Sequence, residues 1–97
     1  MHLLGIDIGT ESSRAVLFDE EGRTVSSAQT VYSVTSSRPG WASQDPASWW
    51  RTTAGNVRRA LERSGIEPGA VAGVGVCGQM HGPVPLDAGG EVVHPDV

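Results

Sequence analysis

One cysteine, Cys77, is all that this 97-residue chain carries, so no internal disulfide braces it. A lone thiol agrees with a reducing compartment, and a cytoplasmic location is expected. Basic residues form no run or stripe, and the formal net charge is −4. That argues against nucleic acid and anionic membranes as partners. Long apolar runs are missing as well: none approaches the roughly 18 residues that span a bilayer. The first residues lack the basic-then-apolar order of a secretory signal. No internal repeat or low-complexity segment is present. What remains is a globular composition, 38% hydrophobic and 19% charged, with length for one small domain and a modest core. Thirteen glycines and six prolines imply frequent turns.

The stretch that organises the chain is its start. Leu3 to Ile8 is an apolar run interrupted by Asp7, and His2 to Ile8 reads as an interior strand, apolar on both faces. Arg14 to Asp19 reads as a second strand. Between them lie Gly9, Thr10, Ser12 and Ser13, all small or hydroxylic. Such a turn brings backbone N–H groups and hydroxyls near an anion, and an acid at the adjoining strand end can hold a divalent cation. The plain alternative is a β-hairpin whose Asp7 caps its own turn.

Asp19 to Gly22 is a turn, and Arg23 to Val34 a more polar third strand suited to a sheet edge. Thr35 to Gln44 is a loop broken by Pro39-Gly40. Asp45 is a good helix N-cap and Pro46 fits the first helical position, so a helix is expected from Pro46 to Arg63. Trp50, Ala54, Val57 and Leu61 recur at helical spacing as its apolar face, flanked by Trp49, Thr53 and Ala60. Arg51, Arg58, Arg59 and Glu62 fall on the other side. Ser64-Gly65 ends the helix. Val71 to Cys77 is an apolar fourth strand, with glycines where the helix packs closely and Cys77 as a small core residue. Gly78 to Gly82 is a polar turn. Val84 to Asp87 and Glu91 to His94 read as a short hairpin.

The order is therefore β-β-β-α-β plus a C-terminal hairpin, an α/β fold with a mixed sheet. The helix is a crossover, which makes strand four parallel to strand one. Their carboxyl ends then bring the Gly9-Thr10 turn and the Gly78–His81 turn to one sheet edge, where open α/β sheets bind ligands.

These residues carry a family likeness. Gly5 to Val16 resembles the first phosphate motif of the actin, Hsp70 and sugar kinase superfamily. Pro39-Gly40-Trp41, Gln44-Asp45-Pro46 and Trp49-Trp50 look like the loop and helix start of FGGY carbohydrate kinases. Gly78-Gln79-Met80-His81-Gly82 resembles the xylulokinase branch. The resemblance implies a ribonuclease-H-like (actin-like ATPase) domain, of which residues 1–97 supply the N-terminal portion. It implies transfer of a phosphoryl group from ATP, with Mg²⁺, to a sugar hydroxyl, a ketose such as xylulose. Asp7 would hold the metal, partly through water. Gly9, Thr10, Ser12 and Ser13 would line the phosphate turn, with Arg14 near the phosphates. Gln79, Met80 and His81 would face the sugar, and Trp41 would serve either loop packing or a lid. Glu11 stands where relatives often carry a small polar residue, and no side-chain contact is assigned to it. Family members have two such domains. Their catalytic base and most of the adenosine pocket come from later sequence, so no catalytic base is expected here, and this chain alone is expected to be inactive.

Two other functions compete. One is a non-catalytic nucleotide- or sugar-binding module of the same superfamily, which has no need of the Gln79-Met80-His81 edge. The other is a structural domain that self-associates as a homo-oligomer through an exposed strand and apolar surface.

Overall fold

The computed structural model describes residues 1–33, 36, 38–40, 42–80 and 83–93. Strand β1 spans His2–Ile8, β2 Ser12–Phe18, β3 Thr24–Val31 and β4 Val71–Gly78, and helix α1 spans Pro46–Ser64. The sheet order is β3-β2-β1-β4. The first three strands form an antiparallel meander, and β4 joins β1 in parallel, with Ile8 opposite Gly78. The crossover therefore has the expected direction, and β3 lies at an edge.

Alternation along the strands separates two faces. Leu4, Ala15 and Leu17 turn toward the helix and are buried with Ala28 and Ala60. Val57, Leu61, Ile66 and Val71 pack around them. Three alanines in so small a core let the helix approach the sheet closely. The opposite face carries Gly5, Asp7, Arg14, Val16 and Phe18 and has no layer over it among the described residues.

The helix starts as the sequence predicts. The Asp45 side chain accepts from the N–H of Ala47 at 3.0 Å, and Pro46 opens the first turn. Gly65 closes the helix with φ +71°, its N–H bonding the Leu61 carbonyl.

Several expectations are corrected. The second strand starts at Ser12, not Arg14, because Ser12 and Ser13 pair with Val31 and Thr30 of β3; it ends at Phe18. The third strand starts at Thr24 and ends at Val31; Val34 lies outside the described residues. Trp50 does not pack: it is 73% exposed, while Thr53, Asn56 and Ala60 are buried. The helix is thus rotated from the expected apolar stripe, because the polar Asn56 finds partners beneath it. Arg59, assigned to the solvent side, bonds Thr30 and Asn56. The helix lies over β2 and β3, not over β4, so Val74 and Val76 are exposed; Cys77 is no core residue because it faces the uncovered side of the sheet, level with Asp7. Gly75 also lies on the uncovered face, with nothing within 4 Å of where its Cβ would stand. A short 3₁₀ turn, Pro68–Ala70, precedes β4. The expected hairpin reduces to one bridge, Leu86 to Val92. Its turn is built on Asp87, whose carboxylate accepts from the N–H groups of Gly89 and Glu91. His94 lies outside the described residues.

Candidate functional site

Asp7 lies on the uncovered face of the central strand, one residue from its carboxyl end, opposite Arg14 on β2 and Cys77 on β4. The three share an open groove of about 470 Å³, floored by Gly5 and Gly75. At Gly5 an added Cβ would stand 3.2 Å from the Phe18 ring, so a side chain there would force that ring to shift. Asp7 is the acidic residue of this groove, and it is exposed. Arg14 is drawn sideways toward β3: its Nη2 donates to Gln29 Oε1 at 3.1 Å, and Gln29 donates to Ser12 Oγ at 2.9 Å.

The turn Gly9–Glu11 joins β1 to β2 and is closed by the Gly9 N–H on the Ser12 carbonyl, 2.9 Å. Its carbonyls are anchored one by one. The Tyr32 hydroxyl donates to the Gly9 carbonyl and, at 3.3 Å, to that of Ser12. The Tyr32 N–H takes the Glu11 carbonyl at 3.0 Å, and the Gln44 side chain donates to the Thr10 carbonyl. With those oxygens taken up by protein donors, fewer carbonyl dipoles are left to repel an anion at this turn. Burial raises the Tyr32 phenol above the ordinary tyrosine value, and the negative charge of Asp7 adds to the shift.

The turn after β4 meets this one directly. Gln79 donates its backbone N–H to the Ile8 carbonyl at 2.8 Å, extending the parallel ladder past the strand. Its side-chain Nε2 reaches Gln44 Oε1 at 2.9 Å and the Gly9 carbonyl at 3.4 Å. Met80 is 80% exposed beside it. His81 and Trp41 lie outside the described residues.

Of the residues singled out from sequence, the fold brings Asp7, Gly9, Thr10, Ser12, Arg14, Gln79 and Met80 to one end of the sheet. Ser13 is not with them. Its side chain points to the helix, 1% exposed, donating to Thr52 Oγ1 at 3.1 Å and accepting from Asn56 Nδ2 at 2.9 Å. Strand alternation explains this, since Ser13 sits one residue out of step with Ser12 and Arg14. Two residues were given no role from sequence, Tyr32 and Gln44. Gln44 lay inside the quoted loop motif; Tyr32 had no signal beyond its place at a strand end. Among the described residues no three acids, histidines or cysteines cluster as a metal cage. Mg²⁺ bound with a nucleotide needs none, since it takes one or two carboxylates, with phosphates and water filling the rest. Asp7 fits that requirement.

The model of the FGGY family of carbohydrate kinases, N-terminal domain, matches residues 2–97. The chain belongs to the FGGY carbohydrate kinase family. The glycerol kinase of Roseobacter denitrificans is 41% identical over 78 residues, 80% of this chain and 16% of that protein. The glycerol kinase of Paraburkholderia phytofirmans is 38% identical over 94 residues, 97% of this chain and 18% of that one. Among solved structures, a xyloylose kinase from Brucella ovis superposes with TM-score 0.93 at 35% identity, covering 100% of this chain and 20% of that one. The xylulose kinase from Rhodospirillum rubrum gives 0.90 at 32%, covering 99% and 20%. The FGGY chain thus has the actin-like fold of the sugar kinases and spans a fifth or less of the length of these relatives.

Proposed function

We propose that this FGGY chain is the phosphate- and sugar-binding N-terminal part of an ATP-dependent kinase that phosphorylates a hydroxyl of a ketose such as xylulose. The observation that carries the reading is the Gly9–Glu11 turn, whose carbonyls are tied to Tyr32 and Gln44 beside the free carboxylate of Asp7. Phosphoryl transfer asks for positioning and charge neutralisation more than covalent help. Mg²⁺, when bound with ATP, supplies that neutralisation. Asp7 holds it, directly or through water, and the turn's N–H groups with the Thr10 and Ser12 hydroxyls orient the phosphates. Arg14 adds positive charge once it swings from Gln29. Gln79 presents its amide to sugar hydroxyls, with Met80 as an apolar wall and His81 as a further polar contact. Among the described residues the groove holds one acid, Asp7, which the metal would occupy, and no base for the sugar hydroxyl is assigned to it. ATP and a reduced Cys77 both fit a cytoplasmic location.

The glycerol kinases among the relatives make glycerol the natural competing substrate. Calorimetric titration of the 97-residue chain with Mg²⁺–ADP, xylulose and glycerol tests the reading. Binding of Mg²⁺–ADP weakened about tenfold or more by Asp7→Asn is the expected result. Glycerol binding without xylulose binding would overturn the ketose assignment, and nucleotide binding indifferent to Asp7 would overturn the metal role.

A further inference from the structure

Gln44 is 5% exposed and sits where the loop, the helix and both ligand turns meet. Its amide has one orientation open to it. The Trp49 indole N–H, which can only donate, points at Gln44 Oε1 from 2.9 Å. The Thr10 carbonyl, which can only accept, takes the Nε2 side. The second lone pair of Oε1 accepts from Gln79 Nε2 at 2.9 Å. Gln79 in turn spends its nitrogen on Gln44 and Gly9, so its oxygen is the atom left to accept from a ligand hydroxyl. Trp49 thus sets Gln44, and Gln44 sets which end of Gln79 a ligand meets. Asp45, the next residue, caps α1, so the relay is fixed to the helix as well.

We propose that Gln44 is a positioning residue: its one buried amide holds the phosphate turn, through the Thr10 carbonyl, and the Gln79 amide in a single relative placement. The proposal rests on the nucleotide-and-sugar reading of the two turns, but its geometry does not. Gln44 acts on the nucleotide through Thr10 and on the sugar through Gln79, along two separate hydrogen bonds. Gln44 itself is buried, and its bonds to Thr10, Trp49 and Gln79 tie three separate segments together, the setting in which loss of a supporting group lowers affinity.

The test uses the ¹⁵N-labelled 97-residue chain with Gln44→Met, Gln79→Ala and the double variant. Without ligand, the Gln79 side-chain NH₂ pair is expected to be shifted and slowed in solvent exchange, and to return to free-amide behaviour in Gln44→Met. An unchanged NH₂ pair overturns the proposal. With ligands, Gln44→Met is expected to weaken Mg²⁺–ADP and xylulose (or glycerol, where that is the sugar-site ligand) each by about tenfold. In the Gln79→Ala background it should still weaken Mg²⁺–ADP by that factor and cost the sugar-site ligand nothing more. A loss of both ligands in both backgrounds means a merely structural residue and overturns the proposal. If the wild-type chain binds neither ligand, the kinase reading fails, and the ligand-free resonances alone decide the role of Gln44.

Discussion

Tyr32 offers one phenolic proton to two carbonyls, those of Gly9 and Ser12, and its burial puts a sign on the pH dependence of stability. Burial, with the charge of Asp7, raises the folded phenol above the ordinary value of about 10. As pH climbs past that ordinary value, the unfolded chain releases the proton first and the folded chain binds more protons. Stability is therefore full below about pH 10 and is lost as pH rises toward the folded value. Urea titrations across that range should show the loss in the wild type and its absence in Tyr32→Phe; Asp7→Asn should shrink it. Asn56 makes the second prediction at this scale. It is fully buried in the helix, donates to the Ser13 carbonyl and hydroxyl, and accepts from Thr30 Oγ1 at 2.7 Å. Asn56→Leu strands those partners and should cost about 2 kcal/mol or more in a urea melt. Nothing in its local sequence marked Asn56 as buried. Its partners in the sheet are 43 and 26 residues away, and hydrogen bonds of that span leave no periodic trace.

Helix α1 joins both sides of the site, because it begins two residues after Gln44 and its second turn follows Trp49. Its start is held by the Asp45 side chain on Ala47 and by the Ser48 N–H and hydroxyl on the Asp45 carbonyl. Asp45→Ala should therefore cost about 1 kcal/mol, read as a lower urea midpoint with an unchanged slope. The cap, the proline and the closing glycine were all visible in the sequence, and the helix bounds follow them to within a residue. The rotation of the helix was not. Trp50, Ala54, Val57 and Leu61 are the better apolar stripe on paper. The stripe that packs has Thr53, Asn56 and Ala60 at its centre, because the sheet beneath offers hydrogen-bond partners and small alanines. Strand ends show the same limit: β2 begins two residues early, since pairing with β3, not side-chain polarity, defines where it starts.

At the scale of the molecule, the helix shields β2 and β3 and leaves one half of its own side of the sheet open. Val74 and Val76 are 57% and 68% exposed on β4, whose outer edge pairs with no strand among the described residues. An apolar strand with a free edge invites a second strand. The 97-residue chain is therefore expected to self-associate edge to edge with a second copy, seen as a sedimentation coefficient that rises with concentration. Val76→Lys should return it to a monomer, since a charge at an edge strand opposes pairing. A monomer at all concentrations in the wild type would reject this. The described part contains no helix long and apolar enough to cross a membrane.

The sequence by itself determined what is local. Asp7 at a strand end before Gly9, the Asp45-Pro46 helix start and the Gly65 stop all follow from neighbours within a few residues. So does the family likeness that the N-terminal domain match then showed. The direction of the crossover follows from the order of the elements. Tertiary structure alone decided which strands the helix covers, and hence that Val76 stands open while Asn56 is buried. It also made Gln44 the common partner of Thr10, Trp49 and Gln79, which lie 34, 5 and 35 residues from it. The physical reason is that periodicity tells which residues share a face. Which neighbour meets that face, and where each buried amide finds its partner, is settled only when distant segments pack.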